Sequence, residues 1–450
     1  MVEKMSRARV LARGGGAAAT AIAIALALAG CGQQQFDDAR GWLAGQPGVA
    51  SVDGSGFFSG FQYTGTLEVE LEDGLDEAEV DALAHETGRY LREEAGSGVQ
   101  VEVVEAGGTV ILEVARTRED TDRALAGWRQ LLADDRVLAG RSSGEGSEAE
   151  VELSVAVDAF LDHRAAGAGL GIGALEVRGT PPGAEAGAGP ATTLGLGEDS
   201  SCLDEGEVVA LLREIVGDPR LERSRIEPCE HWTLATGGEG PVVDLAERLD
   251  AGLRGAGLAA TGEVEAGDGG PERRVISVGG ASSPPFAAAR VLEAAGAGYD
   301  LTDPESWQLR GDGDFADLAA AVAEVPASAL PLQVQLWGGR GWVSGPSGRI
   351  VGLAAEGDRV AASVPELREL RLDPGTLRVS FSSREIDGAA VAAGLDRARA
   401  WSGREVSVVF SSGTVIIRDG VIVPGELREG GRDEAAALDF VSAWRAAHPE

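Results

Sequence analysis

The sequence predicts an α+β protein made of tandem, divergent repeats of about 80 residues. Each repeat is expected to be ferredoxin-like (βαββαβ), with an antiparallel sheet and helices on one face. Three observations lead there. Stretches with apolar residues at helical spacing alternate along the chain with pairs of alternating-pattern strands joined by Gly-rich turns. The expected helix starts fall into two interleaved series, one near 36, 119, 204, 285, 363 and 432, the other near 75, 157, 241, 314 and 387. Finally, the hairpin 101–111 (VEVVEAGGTVI) matches 406–416 (VSVVFSSGTVI) at seven of eleven positions, and the helices that follow share Trp128-Arg129 and Trp444-Arg445. The middle copies match in pattern only.

Taken in order, 1–30 reads as a leader and 31–62 as a helix and strand. Repeats are expected at 63–145, 146–229, 230–302, 303–374 and 375–450. Phe36 to Gln46 has helical character and stops at Pro47-Gly48; Val49 to Asp53 is a short strand. Thr64 to Leu71 alternates polar and apolar residues, as a half-buried strand does. A helix should begin at Asp76, with Glu79 completing a capping box, Val80, Leu83, Thr87 and Leu91 on its apolar face, and Gly96 at its end. A hairpin follows over 99–114, then a helix over 119–133 carrying Leu125, Trp128 and Leu132 on one face. The Gly/Ala/Pro segments 179–197 and 267–271 read as long hairpin loops.

The leader has a basic head (Lys4, Arg7, Arg9, Arg13) and an apolar run from Ala17 to Leu28. Twelve residues make only about 18 Å of helix against a hydrocarbon core of about 30 Å. The run suits an export signal better than a membrane span. Leu28-Ala29-Gly30-Cys31 resembles the lipobox of bacterial lipoproteins. That resemblance covers the leader alone, and implies an acyl anchor such as palmitate on Cys31, cleavage before it, and attachment to the extracytoplasmic side of the cell membrane.

The chain carries a net charge of −34. Residues 1–30 hold four basic side chains and one acidic, so the chain from Cys31 has 35 basic and 72 acidic residues. Such a field repels nucleic acid and anionic headgroups, leaving the acyl anchor as the membrane attachment. Lys4 is the only lysine, which excludes the P-loop, Ser-Lys dyads and Schiff-base chemistry from the rest of the chain. There is no asparagine, hence no N-glycosylation sequon.

Cys202 and Cys229 remain once Cys31 is set aside. In an oxidising compartment they should pair, since a helix near 204–217 and a returning strand near 220–228 bring both to one end of the layer. A metal site of Cys202, Cys229 and His231 is the weaker alternative.

No motif calls for a cofactor or a metal. His85-Glu86 begins like H-E-x-x-H, but Arg89 occupies the second histidine's place. His85, His163 and His448 are expected on exposed flanks or near helix ends. Gly345-Pro-Ser-Gly lacks the spacing of a nucleophile elbow, and Asp312-Gly-Asp314 reads as a turn and helix N-cap. The one stretch with binding character is the Gly-rich hairpin around Trp337, Arg340 and Trp342, able to stack a sugar or clamp a carboxylate, or simply to stiffen a hairpin. The function expected is a non-enzymatic binding or scaffolding module with an envelope protein or glycan partner. A carboxylate-based hydrolase and a small-solute receptor are the alternatives.

Overall fold

The computed structural model describes residues 32–449 apart from 60–61, 169–173, 182–190, 197–200, 238–241, 268–269, 280–284, 382–385, 400 and 424–432. The protein is α+β, and the chain divides into two compact units. The first spans residues up to 200 together with Arg225–Pro228; the second spans Ser201–Ser224 and Cys229–Glu450. Cys31 and the leader lie outside the described residues.

In the first unit, a helix over 32–43 (α1) precedes β1 (Val49–Ser59) and β2 (Gln62–Leu71), which pair antiparallel. Helix α2 (Glu77–Glu93) then leads to β3 (Val99–Val104), which pairs parallel with β2 and antiparallel with β4 (Val110–Glu113). The same sequence follows: α3 (Arg118–Leu132), β5 (Val137–Ser142) parallel to β4, and β6 (Gly146–Glu152) antiparallel to β5. It recurs with α4 (Ala156–Ala168), β7 (Ala174–Thr180) parallel to β6, and β8 (Thr192–Gly195) antiparallel to β7. Each strand therefore lies beside its neighbours in sequence.

The second unit repeats the pattern. It runs α5 (Gly206–Val216), β9 (Leu221–Glu227, of which Leu221–Ser224 belong to this unit and Arg225–Glu227 to the first), β10 (His231–Thr236), α6 (Val242–Gly255), β11 (Thr261–Ala266), β12 (Arg274–Gly279), α7 (Phe286–Ala294), β13 (Gly298–Asp303) and β14 (Ser306–Arg310). It continues with α8 (Phe315–Glu324), β15 (Gln333–Gly338), β16 (Gly341–Pro346), α9 (Ile350–Ser363), β17 (Leu367–Leu372), β18 (Thr376–Phe381), α10 (Gly388–Ala398), β19 (Glu405–Phe410), β20 (Gly413–Arg418), β21 (Val421–Val423) and α11 (Glu434–Ala447). Pairs flanking a helix are parallel and pairs joined by a turn are antiparallel.

This order corrects two sequence expectations. A ferredoxin-like unit separates the strands of each βαβ crossover by another strand, whereas here β2–β3, β4–β5 and β6–β7 are in direct contact. The sheet is mixed rather than antiparallel, because a strand returned by a helix must run parallel to the one before it. The helices do keep to one side. Ion pairs join α2 to α3 (Asp81 with Arg129) and α6 to α7 (Asp244 and Glu247 with Arg290), and the Trp42 and Tyr90 rings of α1 and α2 stack at 4.2 Å. Strand direction inverts at every hairpin while the helices stay on that side. Successive crossovers must then alternate in hand, so every second one is left-handed against the usual preference.

The core lies between helices and sheet: Leu67, Val69, Val101, Leu112 and Val151 from strands of the first unit meet Leu83, Leu91, Leu125, Trp128 and Phe160 from its helices. The capping box is present, with the Asp76 side chain accepting from the Glu79 amide and the Glu79 carboxylate accepting from the Asp76 amide, each at 2.9 Å. On α3 Leu125 and Trp128 are buried as expected, but the third buried apolar position is Leu131, while Leu132 is turned outward. The helix expected to start near 363 instead ends there, as α9. Trp128 and Trp444 are both buried and donate their indole N–H to backbone carbonyls, of Val110 at 3.1 Å and Gly420 at 2.8 Å.

Candidate functional site

The helix-free face of the sheet is where side chains remain open, since alternate strand residues on the other face are buried under helices. On β15, Val334 and Leu336 point into the core, so Trp337 points out; on β16, Val343 is buried and Trp342 points out. Trp337 and Trp342 are direct cross-strand partners, with ring centroids 6.4 Å apart and planes tilted by 48°. Trp337 is 38% exposed, so its ring is available for contact.

The register extends this pair into a row. Arg310 of β14 is opposite Trp337, Arg371 of β17 is opposite Trp342, and Arg378 of β18 is opposite Arg371. Adjacent strands lie about 4.8 Å apart, so Arg310, Trp337, Trp342, Arg371 and Arg378 form a continuous strip on one face. Gln308, Gln335 and Ser344 make the parallel polar row beside it. Arg371 is held by Glu369 at 2.7 Å. Arg310 has only a long contact to Gln308 at 3.4 Å, and among the described residues neither Arg310 nor Arg378 has a carboxylate within ion-pair distance.

Arg340 does not join the tryptophans. It sits in the turn and donates to the Ala361 carbonyl at 2.8 Å, tying the hairpin to α9. Beside the strip, Arg310, Asp312, Trp337 and Gly339 line a depression of about 340 Å³. A second depression of about 420 Å³ lies against Asp314, Arg340 and Asp358. There Asp358 of α9 caps α8, its two carboxylate oxygens accepting from the Phe315 and Ala316 amides at 2.9 and 2.8 Å. Asp314 stands at the expected N-cap position, but its side chain makes no cap hydrogen bond.

The cysteine pair is present: the Cys202 and Cys229 sulfurs are at bonding distance, with their Cα atoms 5.7 Å apart. Both sulfurs are thus engaged with each other rather than with His231, whose Nδ1 lies 3.1 Å from the Thr261 hydroxyl. Among the described residues no group of three histidine, cysteine or acidic side chains is arranged to hold a metal ion.

The histidines are structural in placement. Nε2 of His85 on α2 lies 3.0 Å from Asp122 of α3, and that of His448 lies 3.1 Å from Asp396 of α10. His163 is buried rather than exposed, with Nε2 2.9 Å from Asp134 and Nδ1 2.7 Å from the Gln130 amide nitrogen. Burial pushes the His163 imidazole below its ordinary value, against the opposing pull of Asp134. The Arg136 guanidinium, bonded to both oxygens of Asp134, holds that carboxyl down at about 2. Asp433 is also lowered: burial acts to raise it, but hydrogen bonds from Ser411 and Ser412 outweigh that. Asp120 is lowered by bonds from Thr117 and Arg123. Each of these carboxylates is held in its charged form, the opposite of what a general acid requires.

No protein-family model, curated protein or solved structure matches the chain.

Proposed function

We propose that the chain is an exported lipoprotein, attached at Cys31 to the extracytoplasmic side of the cell membrane, whose tandem hairpin–helix units form a non-enzymatic binding module. The observation that carries the binding reading is the Arg310–Trp337–Trp342–Arg371–Arg378 strip on the helix-free face. An indole face packs against the C–H face of a pyranose ring, and a guanidinium fork pairs with a carboxylate or phosphate. The two together at strand spacing fit an anionic glycan. The parallel row of Gln308, Gln335 and Ser344 supplies hydrogen-bonding groups for its hydroxyls.

Support for the anchor comes from the leader sequence ending at Leu28-Ala29-Gly30-Cys31. Among the described residues no helix is long and apolar enough to cross a membrane. Labelled fatty acid should enter the wild-type chain and not Cys31→Ala; equal labelling would remove the anchor.

The binding test is a titration of the purified protein with oligomers of a uronic acid, followed by tryptophan fluorescence. Binding should weaken with added salt, and Trp342→Ala and Arg378→Gln should each reduce it by at least about tenfold. A neutral oligosaccharide of the same linkage should bind more weakly. Equal affinity of wild type and Trp342→Ala would place any glycan elsewhere and end this reading of the strip.

A further inference from the structure

The β1–β2 hairpin is longer than the sheet needs. Strand β3 pairs with β2 only from Gly65 onward, so Gly56–Ser59 and Gln62–Thr64 continue as a two-stranded ribbon with no third strand paired to them among the described residues. From Gly54 to Leu67 the chain carries no charged residue for fourteen positions, although a quarter of the whole sequence is charged. Phe57 and Phe58 in this ribbon are 66% and 51% exposed, the two most exposed phenylalanines among the described residues. Successive strand residues face opposite ways. The two rings therefore make the tip apolar on both sides, unlike a patch shaped for one flat partner.

The ribbon is also tied to the start of the described chain. Gly32, which follows Cys31 in sequence, lies so close to Tyr63 that a methyl group on it would come within 2.9 Å of the Tyr63 Cβ. The Phe36 ring of α1 is buried over Gly54 and Gly65, where any larger side chain would strike it. Phe36 meets Tyr63 edge-to-face at 5.5 Å, and Tyr63 meets Phe58 in the same way at 5.0 Å. Gly56 leaves room for the Tyr63 ring. An aromatic chain thus runs from the core under α1 to the exposed tip, fixing the tip beside the residue that follows Cys31.

We propose that the β1–β2 tip is a second membrane contact, inserting Phe57 and Phe58 into the headgroup–acyl boundary next to the acylated Cys31. This rests on the reading of Cys31 as the lipid attachment point. The three residues Phe57–Ser59 extend about 10 Å, matching the depth of about 5–10 Å that interfacial segments reach. Lack of charge lets the ribbon enter where the rest of this acidic surface is excluded, and phenylalanine is among the side chains that interfacial segments bury at that boundary.

The test places an environment-sensitive nitrobenzoxadiazole label at Ser59→Cys, and separately at Glu105→Cys in the β3–β4 turn at the opposite end of the first unit's sheet, in the full chain reconstituted in phosphatidylcholine vesicles. Intact mass reports acylation of Cys31 independently of the label. The Ser59 label should shift to the blue and be quenched by doxyl lipids, while the Glu105 label stays unquenched. Phe57→Ser with Phe58→Ser should reduce vesicle partitioning of the unacylated Cys31→Ala chain by about tenfold or more. An unquenched Ser59 label on vesicle-bound, acylated protein overturns the proposal while leaving the anchor intact. A chain whose mass shows no acyl group, yet whose Ser59 label is quenched, loses the anchor and keeps the tip as a membrane contact. A blue shift that needs no vesicles, accompanied by dimer mass in sedimentation, assigns the tip to a second copy and also overturns it.

Discussion

Two glycines on neighbouring helices give opposite answers to the same substitution. Gly352 lies in α9 with nothing within 4 Å of where a Cβ would stand. Replacing it with alanine should stabilise the protein by about 1 kcal/mol, the difference in helix propensity. Gly394 lies in α10, where a Cβ would press into the Ser363 carbonyl oxygen and stand 3.0 Å from its carbon and 3.1 Å from the Val364 Cα. Those atoms are backbone at the carboxyl end of α9 and cannot rotate away. Alanine there brings the same propensity gain against an overpacking cost of about 1–3 kcal/mol. The net should be a loss of about 1 kcal/mol, and the two variants should differ by about 2 kcal/mol or more. Urea unfolding followed by tryptophan fluorescence reads this as midpoints moving in opposite directions at unchanged slope. If Gly394→Ala raised the midpoint as Gly352→Ala does, α10 could not be seated on the end of α9, and the one-sided helix layer would be wrong at that point.

Three further outcomes follow from the structure. Cys202→Ala with Cys229→Ala should cost about 3.5 kcal/mol, since the bridge closes a separation of 27 residues; dithiothreitol should lower the unfolding midpoint of the wild type and leave the variant unmoved. Asp134, held near 2 by Arg136 against an ordinary 3.8, contributes about 2 kcal/mol that is fully present above pH ~4 and disappears as pH falls towards ~2. The stability gap between wild type and Asp134→Asn should therefore close over that interval, and a gap that ignored pH would refute the pairing. Asp358→Ala should destabilise by about 0.5–2 kcal/mol through the lost cap on α8, whereas Asp314→Ala, with no cap bond to lose, should cost less by the same urea assay.

The helices were legible in the sequence where a cap and an apolar stripe coincided, as at Asp76–Glu79 before Val80, Leu83 and Leu91. Helix α9 was harder to read because Pro346-Ser-Gly before it looks like turn chemistry, and Gly352 and Gly357 dilute its stripe. The long arm of β1 was hidden for a similar reason. The strand expected from the sequence stops at Asp53, and the two glycines just beyond it, Gly54 and Gly56, admit the Phe36 and Tyr63 rings, which come from elsewhere in the chain. Strand adjacency could not be read from local pattern at all. A βαβ crossover with or without a strand between its partners has the same periodicity, so the ferredoxin-like order and the observed one look alike residue by residue. The same blindness applied to the candidate site. Trp337 and Trp342 are neighbours across a visible turn, but Arg310, Arg371 and Arg378 join them only through register, while Arg340, closest in sequence, turns away to Ala361.

The inversion of strand direction at each hairpin imposes a parity rule on how such a chain can grow. Helix starts recur every 29 to 50 residues, but a unit of the same polarity returns only after two of them, which is why the sequence shows a period near 80. Inserting or deleting one hairpin–helix unit within the second unit would send every later turn to the opposite end of the sheet, carrying the Trp337–Trp342 turn with it. Duplication or loss of two at a time leaves each end as it was. Length change in this architecture should therefore be quantised in pairs wherever the identity of an end matters, and a single-unit deletion offers a way to relocate the aromatic strip without altering one of its residues.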